Sequence, residues 1–306
     1  MTIGIAVSGP RAGLAAFRAL RAVEAVGRGA IGGFVSFAVI DTDGALAFAE
    51  TQRGGTAALF GGDDPPPRLR DARLAVLMSS GPDRPEPLHQ FTPGDPANGL
   101  ITGHRLPNWP CADGRPQNLI ALDLMRSGAS PEQAVANALA VDPAADAGLI
   151  AMDLTGRIAL GNSDTVAARD DTGQALVEDV ATGLRVAVLH NSIHPHRALA
   201  ALAVSAALDA VAPADRIDGE ASLIGVPLVL GDRRHLALDA AGKPVHVVVV
   251  DAACLEPYWE GSAVWRGDPV CADGTVVGTV TREVYCIVRD GVVVGGRGGE
   301  CVGWRL

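Results

Sequence analysis

Residues 2–26, TIGIAVSGPRAGLAAFRALRAVEAV, decide the fold. Ile3 to Val7 is a short apolar run typical of a buried strand, and the Ser-Gly-Pro that follows is typical of a turn. From about Arg11 to Val26 the apolar residues recur at helical spacing. Residues 184–211, LRVAVLHNSIHPHRALAALAVSAALDAV, repeat the order of strand, polar turn and Ala-rich helix. The sequence therefore predicts two strand–helix pairs, which are a candidate weak internal repeat.

Hairpin and helix signals lie between these two pairs. Residues 34–50, FVSFAVIDTDGALAFAE, place two runs of β-type residues around a turn at Asp41 to Gly44. Ser130 and Pro131 supply an N-cap and a first-turn proline for a helix. The other predicted elements are a strand at Leu74–Met78, helices at Gln117–Met125 and Pro131–Leu139, and a hairpin of Ala147–Met152 with Arg157–Leu160. The chain is mixed α and β.

Two stretches indicate loops and a boundary. Residues 84–116 are rich in Pro, Gly and Asn, which predicts an ordered loop over one face of the fold. Pro, Gly and charged residues become denser between 164 and 182, so we place a boundary near residue 165. Residues 1–165 form one half, and residues 166–306 either complete the same fold or form a small α/β domain.

Composition restricts the class of protein. The chain has 306 residues, of which 48% are hydrophobic and 20% charged, so disorder is excluded as its main state. A formal net charge of −10 with scattered arginines argues against a nucleic-acid partner. No apolar run approaches the roughly 20 residues of a membrane helix, and no secretory signal is visible. The five cysteines are odd in number and lack a C-x-x-C spacing, which indicates reduced thiols. We expect a cytoplasmic protein without a membrane partner.

The helix and first hairpin carry a family resemblance. Residues 12–55, AGLAAFRALRAVEAVGRGAIGGFVSFAVIDTDGALAFAETQRGG, resemble the corresponding part of γ-glutamyltransferases, and from Phe34 onward they are also similar to isoaspartyl peptidases, the plant-type asparaginases. Residues 123–139 and 147–163 resemble the closing helix and hairpin of the second family. Both families are N-terminal-nucleophile hydrolases. The resemblance implies an α/β (α+β) fold, a four-layer αββα sandwich with two sheets between two helical layers.

The same resemblance implies site residues. Arg68 and Asp71 have the spacing of the asparaginase-like substrate-binding motif, and Thr102-Gly103-His104 resembles its oxyanion segment. Backbone N–H groups in such a glycine turn can stabilise a developing oxyanion, and a histidine there can transfer a proton. Asn108 lies in the neighbouring loop, which is of the kind that lines pockets. These residues predict a pocket; the alternatives are a plain surface turn and solvated charges.

The nucleophile departs from the family pattern. Phe34 stands where the asparaginase-like family has its catalytic Thr, and because Phe has no oxygen, self-cleavage at that point is excluded. Thr2 is one replacement, since removal of Met1 would expose its hydroxyl and its amine together at the head of a strand. Cys111 is another, as a thiolate activated by a neighbouring imidazole. The simpler interpretations are a strand start for Thr2 and a small buried residue for Cys111.

Three histidines form a possible metal motif. His190, His194 and His196 follow the spacing H-x3-H-x-H between a predicted strand and helix. Neutral imidazoles in such a turn can bind a divalent transition metal such as zinc. An anion site, a general base, or capping and packing are alternatives. The expected cofactor is therefore none, or a divalent transition metal.

These observations lead to two hypotheses of different classes. The first is an amide-bond hydrolase that acts on a small acidic or amino-acid-like substrate. The second is a catalytically inactive relative that binds a small ligand or acts through assembly, and Phe34 favours it. Both have a small molecule as partner. The high hydrophobic content with few aromatic residues is consistent either with burial between the subunits of a homo-oligomer or with a large core in a monomer.

Overall fold

The computed structural model describes residues 1–211, 217–297 and 299–306. The chain divides into two compact units, Met1–Ala212 and Pro213–Leu306. The division lies after residue 212 and not at the predicted 165, because the strands and the helix between residues 172 and 211 complete a sheet of the first unit. Within the described residues, no helix combines the length and the apolar character that crossing a membrane requires.

Ten strands and seven α-helices form the first unit, as counted over residues 1–211. The strands are β1 (Thr2–Ser8), β2 (Val35–Ile40), β3 (Leu46–Thr51), β4 (Leu74–Ser80), β5 (Gly94–Asp95), β6 (Gly99–Arg105), β7 (Ala147–Asp153), β8 (Ile158–Asn162), β9 (Thr172–Asp179) and β10 (Leu184–Asn191). The helices are α1 (Ala12–Val26), α2 (Gly55–Leu59), α3 (Pro67–Arg70), α4 (Gln117–Arg126), α5 (Pro131–Val141), α6 (Asp164–Ala167) and α7 (His196–Val211).

The strands of this unit make two antiparallel sheets. The first has the order β3-β2-β4-β1-β10-β9, and the second has the order β5-β6-β7-β8. Strands β1, β2 and β4 of the first sheet are buried along their whole length. They are apolar without strict alternation because both faces of the sheet are covered.

The unit is a four-layer αββα sandwich. Helices α1 and α7 cover the outer face of the first sheet, where they bury Leu20, Val23 and Leu199 against strand residues such as Val186. Helices α4 and α5 cover the outer face of the second sheet. Between the sheets lies a third apolar layer: Ala6, Ala38, Ile40, Leu74, Val76, Leu100, Ile150, Met152, Ile158, Ala187 and Leu189. The layer order expected from the resemblance to N-terminal-nucleophile hydrolases is confirmed.

Small residues let these layers approach closely. A Cβ atom on Gly13 of α1 would lie 1.8 Å from the carbonyl oxygen of Leu69, and one on Gly4 of β1 would lie 2.2 Å from that of Gly103 in the second sheet.

At the start of α5, Ser130 and Gln133 form the capping box, with Pro131 in the first turn as predicted. The two strand–helix pairs lie side by side, since β1 pairs with β10 and α1 packs against α7.

The second unit consists of strands. Its described residues, 217–297 and 299–306, contain no α-helix, so the expectation of a small α/β domain is wrong for this part of the chain. The seven-stranded sheet has the order β11-β20-β17-β16-β13-β14-β12, and the three-stranded sheet has the order β15-β18-β19. The strands are β11 (Gly219–Ser222), β12 (Leu228–Leu230), β13 (His235–Leu238), β14 (Pro244–Val249), β15 (Tyr258–Val264), β16 (Pro269–Ala272), β17 (Thr275–Val280), β18 (Val284–Arg289), β19 (Val292–Gly296) and β20 (Cys301–Arg305).

Candidate functional site

Thr2 lies at the end of the space between the two sheets. It begins β1, which lies between β4 and β10 in the first sheet. Alternate residues of a strand point to the same face, and Ala6 of this strand belongs to the layer between the sheets. The Thr2 side chain therefore points toward the second sheet. With Met1 in place, Thr2 is only 2% exposed.

Groups from both sheets hold the Thr2 hydroxyl. Its Oγ1 donates to Oδ1 of Asn191 over 2.7 Å and accepts a hydrogen bond from the backbone N–H of Arg105 over 2.5 Å. Asn191 ends β10 and pairs with Thr2 in the ladder of the first sheet. Arg105 ends β6 of the second sheet. The hydroxyl therefore occupies one fixed position at the junction of the sheets.

A second line of polar groups supports Asn191. The Asn191 amide donates to Oγ of Ser192 over 2.9 Å, and this hydroxyl donates to the carboxylate of Asp171. Arg169 binds the same carboxylate through two nitrogens, at 2.8 and 2.7 Å. These bonds, first of all those of Arg169 and then that of Ser192, lower the pKa of Asp171 to about 2. Asp171 is therefore ionised at neutral pH and fixes the Ser192 hydroxyl.

Positive charge surrounds the amino end of β1. Arg105 forms an ion pair with Asp146, and Arg84 donates through Nε to Oγ of Ser80 over 2.8 Å. Ser80 lies opposite Thr2 in the pairing of β1 with β4. Burial, and then the charges of Arg105 and Arg84, hold the pKa of the Met1 amine below its usual value. An amine at this position therefore stays neutral at a lower pH than a free α-amine does.

His104 lies close to this cluster but is sealed from solvent. It precedes Arg105 in β6, is 0% exposed, and its Nε2 is 2.7 Å from Oδ1 of Asn162. Burial lowers the pKa of His104 to about 4, although the hydrogen bond to Asn162 acts in the opposite direction. The imidazole is therefore neutral at physiological pH, and its buried Nδ1 has no partner among the described residues.

The predicted glycine turn at Thr102 to His104 is wrong. These residues belong to β6 and pair with β7, where Thr102 is opposite Ile150. The Thr102 hydroxyl is buried between the sheets and donates to the carbonyl oxygen of Leu77 over 3.0 Å. Gly103 is required for close packing, since a Cβ atom there would lie 2.0 Å from the carbonyl oxygen of Gly148. This segment therefore contributes to the packing between the two sheets and does not form an oxyanion turn.

Arg68, Asp71 and Asn108 do not come together at a pocket. Arg68 binds Asp41 over 2.7 Å, and Asp71 binds its neighbour Arg70 over 2.8 Å. Asp41 follows the far end of β2 and lines a cavity of about 770 Å³ that also contains Ser8. Thr2 and Ser8 are the two ends of β1, so Arg68 is about 20 Å from Thr2. Asn108 donates to Oε1 of Gln90 over 2.8 Å and fixes a loop.

The three histidines do not form a metal site. His190 is completely buried in β10, and burial lowers its pKa to about 4. His194 lies in the following loop, and its Nδ1 is 3.4 Å from that of His196 at the start of α7. In the part of the chain that the structure describes, no group of three or more His, Cys, Asp or Glu side chains converges to hold a metal ion. The H-x3-H-x-H spacing does not give three converging ligands: His190 lies in β10 with its ring beside the backbone of His196, and the imidazoles of His194 and His196 lie in the loop and at the start of α7.

The surroundings of Cys111 disfavour the thiolate form. The side chain packs in the apolar layer between the second sheet and helices α4 and α5. Burial, followed by the charge of Asp142, raises the pKa of the thiol. A nucleophilic cysteine is favoured by a lowered pKa, so these surroundings argue against the prediction. Phe34, in contrast, lies where the sequence predicted, directly before β2, and packs against Phe91 with a distance of 5.0 Å between the ring centroids.

Several residues of the Thr2 cluster were not found by sequence reasoning. Asn191, Ser192 and Asp171 belong to no recognisable motif, and 189 residues separate Thr2 from Asn191. Ser80 lacks the flanking glycines of a hydrolase elbow, which leaves it without a local signal. A polar pair at the end of a buried strand, as in Asn191-Ser192, is the signal that could have indicated them.

Comparisons with known proteins give families without a described function. The family model described as Domain of unknown function (DUF6963) matches residues 2–220, and Domain of unknown function (DUF7259) matches residues 225–301. No curated protein matches the chain. A glutamine phosphoribosylpyrophosphate amidotransferase from B. subtilis, solved with ADP and GMP, is weakly similar in structure, with a TM-score of 0.36 and 11% identity. The similarity covers 61% of this chain and 41% of that chain, so this chain spans less than half of that enzyme.

Proposed function

This chain belongs to the family described as Domain of unknown function (DUF6963), and from that premise we propose that it is an amide-bond hydrolase of the N-terminal-nucleophile type, with Thr2 as the nucleophile. One observation carries the proposal: the Thr2 hydroxyl lies at the end of an αββα sandwich and is held by Asn191 from one sheet and by the backbone of Arg105 from the other. These partners fix the hydroxyl on the residue that would carry the α-amine once Met1 is removed.

Thr2 becomes reactive once the Met1–Thr2 peptide bond is cut. The freed α-amine then lies on the same residue as the hydroxyl, which is how threonine nucleophiles are activated. The amine of Met1 already has a lowered pKa, because of burial and then the charge of Arg105. An amine on Thr2, one residue further along the same strand, would lie near the same charges, which favour its neutral, proton-accepting form.

The reaction follows from these positions. The Thr2 amine takes the hydroxyl proton while Oγ1 attacks the carbonyl carbon of the amide. The C–N bond breaks, the leaving amine receives the proton, and the acyl group remains as an ester on Oγ1. Water, deprotonated by the same amine, then hydrolyses the ester and restores the Thr2 hydroxyl. Asn191 is a positioning residue in this scheme, because its acceptor orients the hydroxyl and Ser192 in turn fixes its amide.

The substrate class that we propose is a small acidic or amino-acid-like amide. Two arginines, Arg84 and Arg105, flank the amine position, and a positive site favours a ligand with negative charge. Met1 precedes Thr2 directly, and its Sδ accepts a hydrogen bond from the backbone N–H of Ala30 over 3.0 Å. Removal of Met1 releases this contact beside Thr2.

The test joins the state of the N-terminus to the reactivity of Thr2. Untagged protein is analysed by intact mass spectrometry, then incubated with a β-lactone, an electrophile that acylates hydroxyl nucleophiles, and digested to locate the adduct. We expect Thr2 at the N-terminus and the adduct on Thr2. Thr2→Ser should retain the adduct and Thr2→Ala should lose it. Thr155→Ala, at an exposed threonine, is the matched control and should react like the wild type.

Two results would overturn the proposal. One is a mature chain that retains Met1, because the amine and the hydroxyl would then lie on different residues. The other is a β-lactone adduct that persists in Thr2→Ala, because another residue would then be the nucleophile. Retention of Met1 together with saturable binding of a small ligand would favour the hypothesis of an inactive binding protein.

A further inference from the structure

Arg84 differs from the other arginines of the first unit. Eleven of these form an ion pair with a described aspartate or glutamate: Arg11, Arg18, Arg53, Arg68, Arg70, Arg105, Arg115, Arg126, Arg157, Arg169 and Arg185. The other five arginines of this unit have no described acidic partner within 4 Å. Arg84 is half-buried, whereas the remaining four are exposed: Arg21, Arg28, Arg73 and Arg197. A half-buried guanidinium without a counter-ion is unfavourable, since burial penalises unpaired charge.

The hydrogen bonds of Arg84 place its guanidinium near Thr2. Its Nε donates to the hydroxyl of Ser80 over 2.8 Å, and the backbone N–H of Arg84 donates to Oε1 of Gln52 over 2.9 Å. Ser80 is the ladder partner of Thr2 between β4 and β1. These two bonds fix the base of the side chain and its Nε. The guanidinium therefore lies on the β4 side of Thr2, opposite Asn191.

The charges around Arg84 favour the binding of an anion next to its guanidinium. Arg105 is the nearest other cation, and Asp146 already engages its guanidinium through two hydrogen bonds. Burial, and then the like charge of Arg105, lower the pKa of Arg84. Asp171, on the other side of Thr2, is bound by Arg169. Asp146 and Asp171 are therefore each paired with another arginine, Glu86 accepts a hydrogen bond from Gln52, and no described carboxylate lies within 4 Å of the Arg84 guanidinium.

We propose that Arg84 binds a carboxylate of the substrate, so that the amides hydrolysed at Thr2 are those that also carry a free carboxylate within a few ångströms of the carbonyl. This inference rests on the proposed function. The Nη atoms of a guanidinium whose Nε is already fixed match the two oxygens of a carboxylate. Ser80 acts as a positioning residue, because its hydroxyl orients the guanidinium. A carboxylate there replaces the counter-ion that the chain itself does not supply.

Ligand binding tests this assignment without any turnover. The experiment uses the full chain with Thr2→Ala, so that no chemistry can occur, and titrates succinate by isothermal calorimetry. Succinamide, in which both carboxylates are neutral amides, and inorganic phosphate are titrated in parallel. The variants are Arg84→Met, Arg84→Lys and the control Arg21→Met, which changes an exposed arginine of α1. Thermal unfolding confirms that each variant is folded.

The expected results are specific. Succinate should bind saturably, and Arg84→Met should weaken it roughly 10- to 100-fold, since hydrogen bonds to a charged group are lost. Arg84→Lys should be intermediate, because the charge remains and the planar fork does not. Arg21→Met should bind as the parent does, and succinamide should bind at least roughly tenfold more weakly than succinate.

Other outcomes would overturn the assignment. Equal succinate affinity in Arg84→Met and the parent protein would show that the carboxylate is bound elsewhere or not at all, as would the absence of saturable binding. Phosphate binding through Arg84 without succinate binding would indicate a phosphate site and not a carboxylate site. Because Thr2 is already alanine, these results are independent of whether Thr2 is a nucleophile, which the β-lactone adduct decides.

Discussion

Replacing Gly4 by alanine tests the close approach of the two sheets beneath Thr2. Gly4 lies two residues after Thr2 in β1, and a Cβ atom there would be 2.2 Å from the carbonyl oxygen of Gly103 and 2.6 Å from its carbonyl carbon. An ordinary contact of a Cβ atom begins at about 3.4 Å. The two sheets must therefore separate locally by about 1 Å to admit one methyl group.

The magnitude follows from the kind of neighbour. Overpacking a well-packed core typically destabilises a protein by about 1–3 kcal/mol. The obstacle here is the backbone of a central strand, which cannot rotate away as a side chain can, so we expect about 3 kcal/mol. For a unit of this size each kcal/mol lowers the melting temperature by about 2–4 °C, which gives a decrease of roughly 6–12 °C.

Thermal and urea unfolding, followed by circular dichroism, measure this effect. Gly295→Ala is the control, because it also adds one methyl group to a strand residue but meets its nearest atom only at 3.9 Å. We expect the control to change the free energy of unfolding by less than about 0.5 kcal/mol. If Gly4→Ala unfolds at the wild-type temperature, the sheets do not meet at Gly103 and the described support of Thr2 is refuted.

Three further predictions concern charged and buried groups near the site. Asp171→Asn should lower the free energy of unfolding at pH 7 by roughly 1–2 kcal/mol after solvent screening is allowed for. Because the folded pKa of Asp171 is depressed to about 2, this stabilisation is present above pH 4 and disappears as the pH falls toward 2. Urea unfolding of both proteins at pH 7 and pH 3 measures it. His104 has a folded pKa of about 4, so its imidazole should remain neutral from pH 8 to pH 5 in a ¹⁵N NMR titration, with the proton on Nε2 facing Asn162; a midpoint near 6.5 would contradict its burial. Cys111→Ala should leave β-lactone labelling of Thr2 unchanged and lower stability by about 1 kcal/mol, and loss of labelling without unfolding would give the thiol a role that its raised pKa argues against.

Local elements could be predicted because their signals are local. The strand at Ile3 to Val7 extends to Thr2–Ser8, and the helix predicted from about Arg11 begins at Ala12 and ends at Val26. Helix α5 begins at Pro131, where the Ser-Pro signal placed it. Periodicity, caps and turn residues act over a few positions, so they are visible in the sequence itself.

The central strand of the second sheet was hidden for a physical reason. Strand β6 lies within residues 84–116, where Pro, Gly and Asn predicted a loop. Gly99 and Gly103 are glycines because the neighbouring backbone leaves no room for a Cβ atom: at Gly99 the nearest atom would be 2.0 Å away. Glycine in a strand can thus mark close packing as well as a turn, and composition does not separate the two.

The site itself depends on pairings that sequence does not reveal. Thr2 was identified because a strand start with a hydroxyl is a local feature, whereas its partner Asn191 is set by the register of β1 against β10. The same register places His190 on the opposite face of β10 from Asn191, because successive residues of a strand point to opposite faces. His190 and Asn191 are neighbours, yet only Asn191 contacts Thr2.

The central place of β1 has a practical consequence for handling the protein. Under the proposed function, an affinity tag or fusion partner joined ahead of Thr2 would block the α-amine on which the reaction depends, although β1 would keep its neighbours on both sides. Such a fusion would be folded and would still not react with the β-lactone. A purification handle ahead of Thr2 must therefore be removed by a protease that leaves Thr2 as the first residue.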